Sequence, residues 1–210
     1  FSTGLRINLR GVTHFSPVGF SSTLIFDNDT DAFITFPVGS SRNQLSDLKI
    51  TSKNPYWTFG ATGFPDESYT GNVANAAITN TGISQTSEQT SADSITRVLL
   101  EGFDTGLRLP GNWFARVDDL SVLSSRVGIR VSQDRTSHLN RLFGVSISKC
   151  TFGLINETSS TFSMYNCNVS RCIIAIDLSF SRSFGINDCY MELNESVIRL
   201  NDNNCKIDVS

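Results

Sequence analysis

Short clusters of carboxylates lie near aromatic residues in the middle of the sequence. Glu101 and Asp104 are three residues apart, and Asp118 and Asp119 are adjacent. Hydrolysis of a glycosidic bond needs two carboxyl groups, one that donates a proton and one that stays ionised. These four residues are therefore the predicted catalytic candidates if the chain hydrolyses a carbohydrate.

The candidate substrate-binding residues are aromatic and basic. Tyr56, Trp57 and Trp113 lie beside Asn, Pro or Gly, in segments typical of loops, where an aromatic ring can stack on a sugar. Arg108 and Arg130 belong to a file of charged residues, and a guanidinium group can hold an anionic sugar through two parallel hydrogen bonds. The more ordinary interpretation of such a file is a solvated ladder of compatible side chains.

No metal site and no cofactor are predicted. The sequence has no Cys-x-x-Cys pair, and its only histidines are His14 and His138. Asp27, Asp29 and Asp31 have a spacing found in calcium loops, but the Gly and the Glu of an EF-hand are missing, so a polar turn is predicted there. The sequence also contains no Gly-rich phosphate loop and no Ser-His-Asp order.

The composition excludes some partners. Charged residues make up 18% of the 210 residues and the net charge is −3, so no basic surface is predicted to attract nucleic acid. No run approaches the roughly 18 apolar residues that would cross a membrane, so membrane insertion is not predicted. Ser, Thr, Asn and Gly are abundant and long Ala/Leu/Glu/Lys stretches are missing, which favours strands and turns over helices.

An internal repeat predicts the elements that position these side chains. The pattern apolar-x-x-apolar-x-apolar recurs six times, and from its second occurrence the first positions are 22, 30, 17 and 22 residues apart. Its occurrences are Leu45/Leu48/Ile50, Ile95/Val98/Leu100, Val117/Leu120/Val122, Ile147/Cys150/Phe152, Met164/Cys167/Val169 and Ile186/Cys189/Met191. Alternation with a period of two indicates a half-buried strand, and the extra residue inside the pattern marks a bend. A period of this length is typical of stacked repeats.

A second pattern follows the first one in each repeat: a small residue and then an alternating strand. Its occurrences are at residues 106–109, 128–131, 153–155, 175–178 and 197–200. One such unit cannot bury its apolar side chains alone, whereas units stacked about 4.8 Å apart form a continuous core. The predicted fold is therefore all-β, a right-handed single-stranded parallel β-helix.

Stacking also predicts a file of cysteines. Cys150, Cys167, Cys189 and Cys205 are expected in the same slot of successive rungs, as buried reduced thiols, which favours assembly in a reducing cytosol. The β-helix is expected to span residues 1–210 as a fragment of a longer chain, with an irregular insertion at about residues 54–93. The 50-residue gap before Ile95 is consistent with one coil plus an insertion, or with two coils.

The rungs resemble those of a known superfamily. Residues 117–122 (VDDLSV) and 164–169 (MYNCNV) resemble the pectate-lyase-like β-helix superfamily, and residues 22–26 (STLIF) and 43–50 (NQLSDLKI) are most similar to bacteriophage tailspike and depolymerase proteins. The resemblance implies a homotrimeric spike on the virion, assembled in the host cytoplasm. Such a spike acts outside the cell, where it binds and often depolymerises a bacterial surface polysaccharide.

Two alternatives remain open from the sequence. The first is a non-catalytic β-helix that serves as a structural or adhesive shaft. The second is a polysaccharide lyase or epimerase, which needs a basic residue as proton acceptor. If the chain is an enzyme, a glycoside hydrolase is preferred to a lyase.

Overall fold

The computed structural model describes residues 7–8, 14–15, 23–27, 32–36, 44–53, 81–85, 94–109, 116–132, 140–157, 161–179, 183–202 and 205–210. Twenty strands lie in this part of the chain. In chain order they are β1 Ile7–Asn8, β2 His14–Phe15, β3 Thr23–Phe26, β4 Ala32–Phe36, β5 Gln44–Ser52, β6 Thr81–Gln85, β7 Ser94–Glu101, β8 Thr105–Leu109, β9 Arg116–Leu123, β10 Val127–Val131, β11 Asn140–Phe143, β12 Ser146–Ser148, β13 Phe152–Asn156, β14 Thr161–Tyr165, β15 Asn168–Ser170, β16 Ile174–Leu178, β17 Ser183–Asn187, β18 Tyr190–Glu192, β19 Ser196–Leu200 and β20 Ile207–Val209.

These strands form a parallel β-solenoid, which is the predicted fold class. A first face consists of β2, β11, β14, β17, β20 and the first halves of β5, β7 and β9, and a second face consists of β3, β12, β15, β18 and the second halves of the same three strands. A third face is the separate eight-stranded sheet β1-β4-β6-β8-β10-β13-β16-β19. Each described strand pairs in parallel with equivalent strands of the neighbouring coils.

Left-handed backbone conformations produce the bend between the first and second faces. In the six rungs whose bend the structure describes, the φ angle of the bend residue lies between 50° and 63°; these residues are Asp47, Arg97, Asp119, Gly144, Asn166 and Asp188. Gly, Asn and Asp tolerate this conformation better than other residues, which explains why they occupy most of this file. A second file with positive φ, which consists of Gly102, Ser124, Lys149, Arg171 and Leu193, turns the chain from the second face toward the third.

The inward columns confirm the first pattern in five of its six occurrences. The ladder places Ile95 beside Val117, Leu142 beside both Val117 and Met164, and Met164 beside Ile186. The prediction that Ile147/Cys150/Phe152 continues this series is wrong. Ile147 pairs with Val122 and Val169, the last residues of their triads, so it is the last residue of its own triad and not the first. The correct triad of this rung is Leu142/Val145/Ile147. Both bends of a coil produce the same spacing of apolar residues. The sequence pattern therefore took the second bend, at Lys149, for the first bend, at Gly144.

This shift of register also corrects the predicted cysteine file. Cys167 stacks on Cys189 at the first bend, whereas Cys150 stacks on Cys172 at the second bend, and Cys205 lies in neither file. All five cysteines are free thiols. Because the Cys167 thiol donates a hydrogen bond to Cys189, the pKa of Cys189 falls to about 6, while the same bond and burial raise the pKa of Cys167.

The second pattern is confirmed in register at each of its occurrences. Leu107, Ile129, Leu154, Ile176 and Ile198 form one inward column of the third face. Glycine precedes the first three of them, at positions 106, 128 and 153, and close packing requires it there. A Cβ atom on Gly128 would lie 2.5 Å from the Gly153 carbonyl oxygen and 2.6 Å from a methyl of Ile147.

The 50-residue gap between Leu45 and Ile95 spans one coil and not two. Leu45 pairs directly with Ile95, so β5 and β7 are neighbouring rungs of the same sheet. Between them, β6 continues the third face, and residues 54–80 and 86–93 lie outside the described part of the chain. Across the described ranges, no helix is long and apolar enough to cross a membrane.

Candidate functional site

The structure places the four candidate carboxylates on different parts of the solenoid. Glu101 faces outward on the second face, where its Oε2 lies 3.5 Å from Lys49 Nζ. Asp104 is buried at the turn before β8, and its two oxygens accept hydrogen bonds from Arg126 Nε and Nη2 at 2.5 and 3.1 Å. The buried pair joins two rungs, and such pairing is typical of a structural ion pair.

Asp118 and Asp119 lie together on the first face. Asp118 Oδ2 accepts a hydrogen bond of 2.6 Å from Arg116 Nε on the same strand. Asp119 is exposed at the bend, and its carboxylate reaches toward the next rung, where Oδ1 occupies the space that a side chain on Gly144 would need. The two aspartates therefore present one engaged and one exposed carboxylate to the same surface.

The predicted binding residues are separated from these carboxylates. Arg108 and Arg130 are ladder neighbours on the third face. Arg130 donates two hydrogen bonds to the carboxylate of Glu157, at 2.8 and 3.2 Å, and Arg108 also has a partner. Tyr56, Trp57 and Trp113 lie outside the described residues.

Two exposed aromatic residues on the first face were not predicted as binding residues. Phe143 and Tyr165 are 48% and 36% exposed, respectively, and they are direct ladder partners on neighbouring rungs. Phe143 also pairs with Asp118 on the rung before it. The signal was present in the sequence, because each aromatic follows an inward residue of its rung and therefore points outward by strand alternation.

We call this region the acidic–aromatic surface. It consists of Asp118, Asp119, Phe143 and Tyr165, with Arg116 and Arg141 as ladder neighbours along one side. On the preceding rungs, the same face has a depression of about 320 Å³, lined by Gln44, Leu45, Ser46, Asp47, Ser94, Thr96 and Arg97. Thr96 is the ladder partner of Asp118, so the depression borders the surface along the solenoid axis.

This arrangement is suited to an extended polar ligand with flat apolar faces. Neighbouring rungs are about 4.8 Å apart, so stacked outward residues repeat along the axis at a distance close to the length of one sugar ring. Phe143 and Tyr165 supply ring surfaces, and the carboxylates supply hydrogen-bond acceptors for hydroxyl groups. In the part of the chain that the structure describes, no group of three or more His, Cys, Asp or Glu side chains could hold a metal ion.

Comparisons with known proteins show what the fold resembles. No protein-family model matches the sequence, and no curated protein matches it. The enzymatically active domain of tailspike protein 2 from bacteriophage CBA120 is similar in structure, with a TM-score of 0.55 and 15% identity over 96% of this chain and 40% of that chain. Full-length tailspike protein 2 from Escherichia coli O157:H7 bacteriophage CAB120 has a TM-score of 0.51 and 14% identity over 97% of this chain and 36% of that one. The chain spans well under half the length of these structures and shares with them the β-helix fold, which confirms the resemblance in fold to tailspike proteins.

Proposed function

We propose that this chain is part of a phage tailspike and binds a bacterial surface polysaccharide along the acidic–aromatic surface. The observation that supports this most strongly is the pair of exposed aromatic residues on neighbouring rungs, Phe143 and Tyr165. Two exposed aromatic side chains that are direct ladder partners form a contiguous apolar patch of the kind that ligands cover, and their rings match the apolar faces of sugars. The two rings are stacked along the solenoid axis, so a glycan chain that lies parallel to this axis contacts both of them.

A binding experiment with matched variants tests this proposal. The chain is incubated with capsular polysaccharide and O-antigen from a panel of host bacteria, and binding is measured by affinity electrophoresis or calorimetry. Phe143→Ala and Tyr165→Ala are expected to weaken binding together by about 10-fold or more, because stacking on an exposed ring contributes about 1 kcal/mol or more. Tyr190→Ala is the control, because Tyr190 is 59% exposed but lies on the second face.

The outcomes separate this proposal from its alternative. If Tyr190→Ala weakens binding as much as the two first-face variants, the ligand does not bind at the acidic–aromatic surface. If the wild-type chain binds no polysaccharide of the panel, the shaft function is favoured instead.

Hydrolysis of the bound polysaccharide is a second candidate function. It is favoured by the positions of Asp118 and Asp119 beside the aromatic pair, since a glycosidase needs a proton donor and an ionised partner. Asp118 already receives a charge-assisted hydrogen bond from Arg116 and suits the ionised partner, which leaves Asp119 as the candidate for the second carboxyl group. Glu101 and Asp104 face other parts of the solenoid and are not included in this pair.

Oligosaccharide release tests the second candidate. Asp118→Asn and Asp119→Asn are each expected to lower release by about 10²- to 10⁴-fold while the polysaccharide still binds. Release that is unchanged in both variants would remove these residues from catalysis. If the wild-type chain binds without releasing products, the function is adhesive only.

The proposal extends to the assembly. We propose that the chain forms a homotrimer on the virion that attaches to the host cell, as the resemblance of its rungs to tailspike proteins implies. Solution mass by light scattering is expected to give three chains per particle. A monomeric mass would leave the binding proposal intact and remove the trimer from it.

A further inference from the structure

One basic residue of the acidic–aromatic surface has no partner among the described residues. Arg141 is exposed on β11, two positions before Phe143 and on the same outward side of the strand. Its ladder neighbours are Arg116 and Ser163. Arg116 is engaged by Asp118, so the described side chains around Arg141 offer it no carboxylate.

Charges on this surface are separated by side. Arg116 and Arg141 lie where the strands begin, whereas Asp119 and Asp188 lie at the bend, with Gly144 and Asn166 between them. Arg97, the bend residue of the rung before Asp119, is bound by Asp47. The Asp118 carboxylate lies between these sides and is balanced by Arg116. An anionic group bound near Arg141 is therefore kept away from the two exposed aspartates.

From this arrangement we propose that the acidic–aromatic surface has a subsite for an acidic sugar, a uronate or another carboxylated sugar. The ring of this sugar stacks on Phe143 and Tyr165, and its carboxylate binds the Arg141 guanidinium. A guanidinium group is planar and presents two parallel N–H donors, which match the two oxygens of a carboxylate. The hydroxyl groups on the opposite edge of the sugar then face Asp119 and Asn166, which accept or donate hydrogen bonds.

The subsite rests on the proposed function and narrows it to acidic polysaccharides. It also assigns the anion contact to a different face from the one that the sequence suggested. Arg130 was a candidate for this contact, but its Nε and Nη2 atoms already donate to the Glu157 carboxylate, which neutralises its charge.

Chemical modification of the glycan tests the subsite. The probes are the polysaccharide that the wild-type chain binds most tightly in the host panel and the same polysaccharide after reduction of its carboxyl groups to primary alcohols. Reduction is expected to weaken binding by about 10- to 100-fold, the loss that corresponds to one charged hydrogen-bonded contact. Arg141→Gln is expected to weaken binding of the native polysaccharide by a similar factor and to leave binding of the reduced form unchanged.

Two further variants complete the test. Arg141→Lys is expected to retain part of the affinity, because it keeps the charge but loses the two-pronged contact. Arg171→Gln is the control, because Arg171 is exposed at the bend between the second and third faces.

Each outcome decides between the two proposals. If the best-bound polysaccharide is neutral, or if Arg141→Gln binds the native and the reduced form as the wild-type chain does, the acidic subsite is wrong and polysaccharide binding stands. If no polysaccharide of the panel binds, both proposals are overturned.

Discussion

Ion pairs between neighbouring rungs have different environments along the solenoid. Arg126 binds Asp104 through two hydrogen bonds, and the Asp104 side chain is only 10% exposed. Arg97 binds Asp47 in the same way, at 2.6 and 2.8 Å, but this arginine is open to solvent. Water can replace the partner of an exposed charge, whereas a buried charge that loses its partner stays unsatisfied.

We therefore expect Asp104→Asn to destabilise the chain more than Asp47→Asn. Loss of the charged hydrogen bonds to Arg126 should lower the free energy of unfolding by about 1.5–3 kcal/mol. Asp47→Asn is the matched control and should change it little. Chemical denaturation followed by circular dichroism measures both variants, and equal losses would show that burial does not distinguish the two pairs.

Cys189 should have an unusually reactive thiol. Its pKa is lowered to about 6 because it accepts a hydrogen bond from Cys167, so in the folded chain the thiolate dominates above that pH. Alkylation by iodoacetamide requires the thiolate, and the labelling rate should rise through about pH 6 and level off by about pH 7. Mass spectrometry of labelled peptides between about pH 5 and 9 measures this profile.

Removal of the donor provides the control for this profile. In Cys167→Ala, the labelling midpoint of Cys189 should return to the range of an ordinary thiol, about 8.5. A wild-type profile that already has this ordinary midpoint would contradict the hydrogen-bonded pair.

At the scale of the strand, glycines in the third face allow it to pack closely against the neighbouring rung and the core. Gly128→Ala would place a Cβ atom 2.5 Å from the backbone oxygen of Gly153, which cannot move without breaking the ladder. We expect a loss of about 1–3 kcal/mol in the free energy of unfolding, or failure to fold. Soluble yield and thermal unfolding measure it.

Gly185 is the matched control for Gly128. It also lies within a strand, but the nearest atom to an added Cβ would be the Ser163 hydroxyl oxygen at 3.1 Å, and this side chain can rotate. Gly185→Ala should therefore fold normally. Similar behaviour of the two variants would mean that the close packing of the third face does not depend on glycine.

The sequence predicted the strands of the third face better than those of the first. The second pattern predicted β8, β10, β13, β16 and β19 in their observed register. It missed β6, which continues the third face within the segment predicted as an irregular insertion. The first pattern spans a bend, and two bends per coil share its spacing, so Cys150 was assigned to the wrong file. Ladder pairing resolves this, because it aligns Ile147 with Val122 and Val169 rather than with Met164.

The candidate site depends on pairings between distant residues. Asp118, Phe143 and Tyr165 are 25 and 22 positions apart, and they form one surface only because their rungs stack in register. Strand alternation in the sequence predicts that each points outward. Alternation does not specify side-chain contacts. It could not show that Asp118 binds Arg116, or that no described side chain binds Arg141.

In the whole molecule, the three faces have different chemistry. The third face engages its arginines in ion pairs, as Arg130 does with Glu157 and Arg199 does with Asp177. The second face has Tyr190, whose hydroxyl group donates to Glu192 at 2.8 Å. The first face combines exposed aromatic rings with an arginine that no described side chain engages, and for this reason both proposals place the ligand there.

Stacked rungs also determine how a local defect spreads through the molecule. Each rung contacts its neighbours, so stability is close to a sum of rungs and the interfaces between them. Leu142 is fully buried, and its ladder partners are Val117 and Met164. Leu142→Ala should lower the free energy of unfolding by about 2–5 kcal/mol through the cavity that it creates. Hydrogen exchange measured by mass spectrometry should show the largest loss of protection in β9, β11 and β14 and progressively smaller losses toward β4.

An exposed leucine provides the comparison for this buried one. Leu200 is 52% exposed in β19, so Leu200→Ala should leave protection in β9 and β11 unchanged. If Leu142→Ala instead lowers protection by the same amount in every strand, the solenoid opens as a single cooperative unit. In that case the coupling between rungs exceeds the stability of any one rung, because a defect in the centre then reaches the most distant strands.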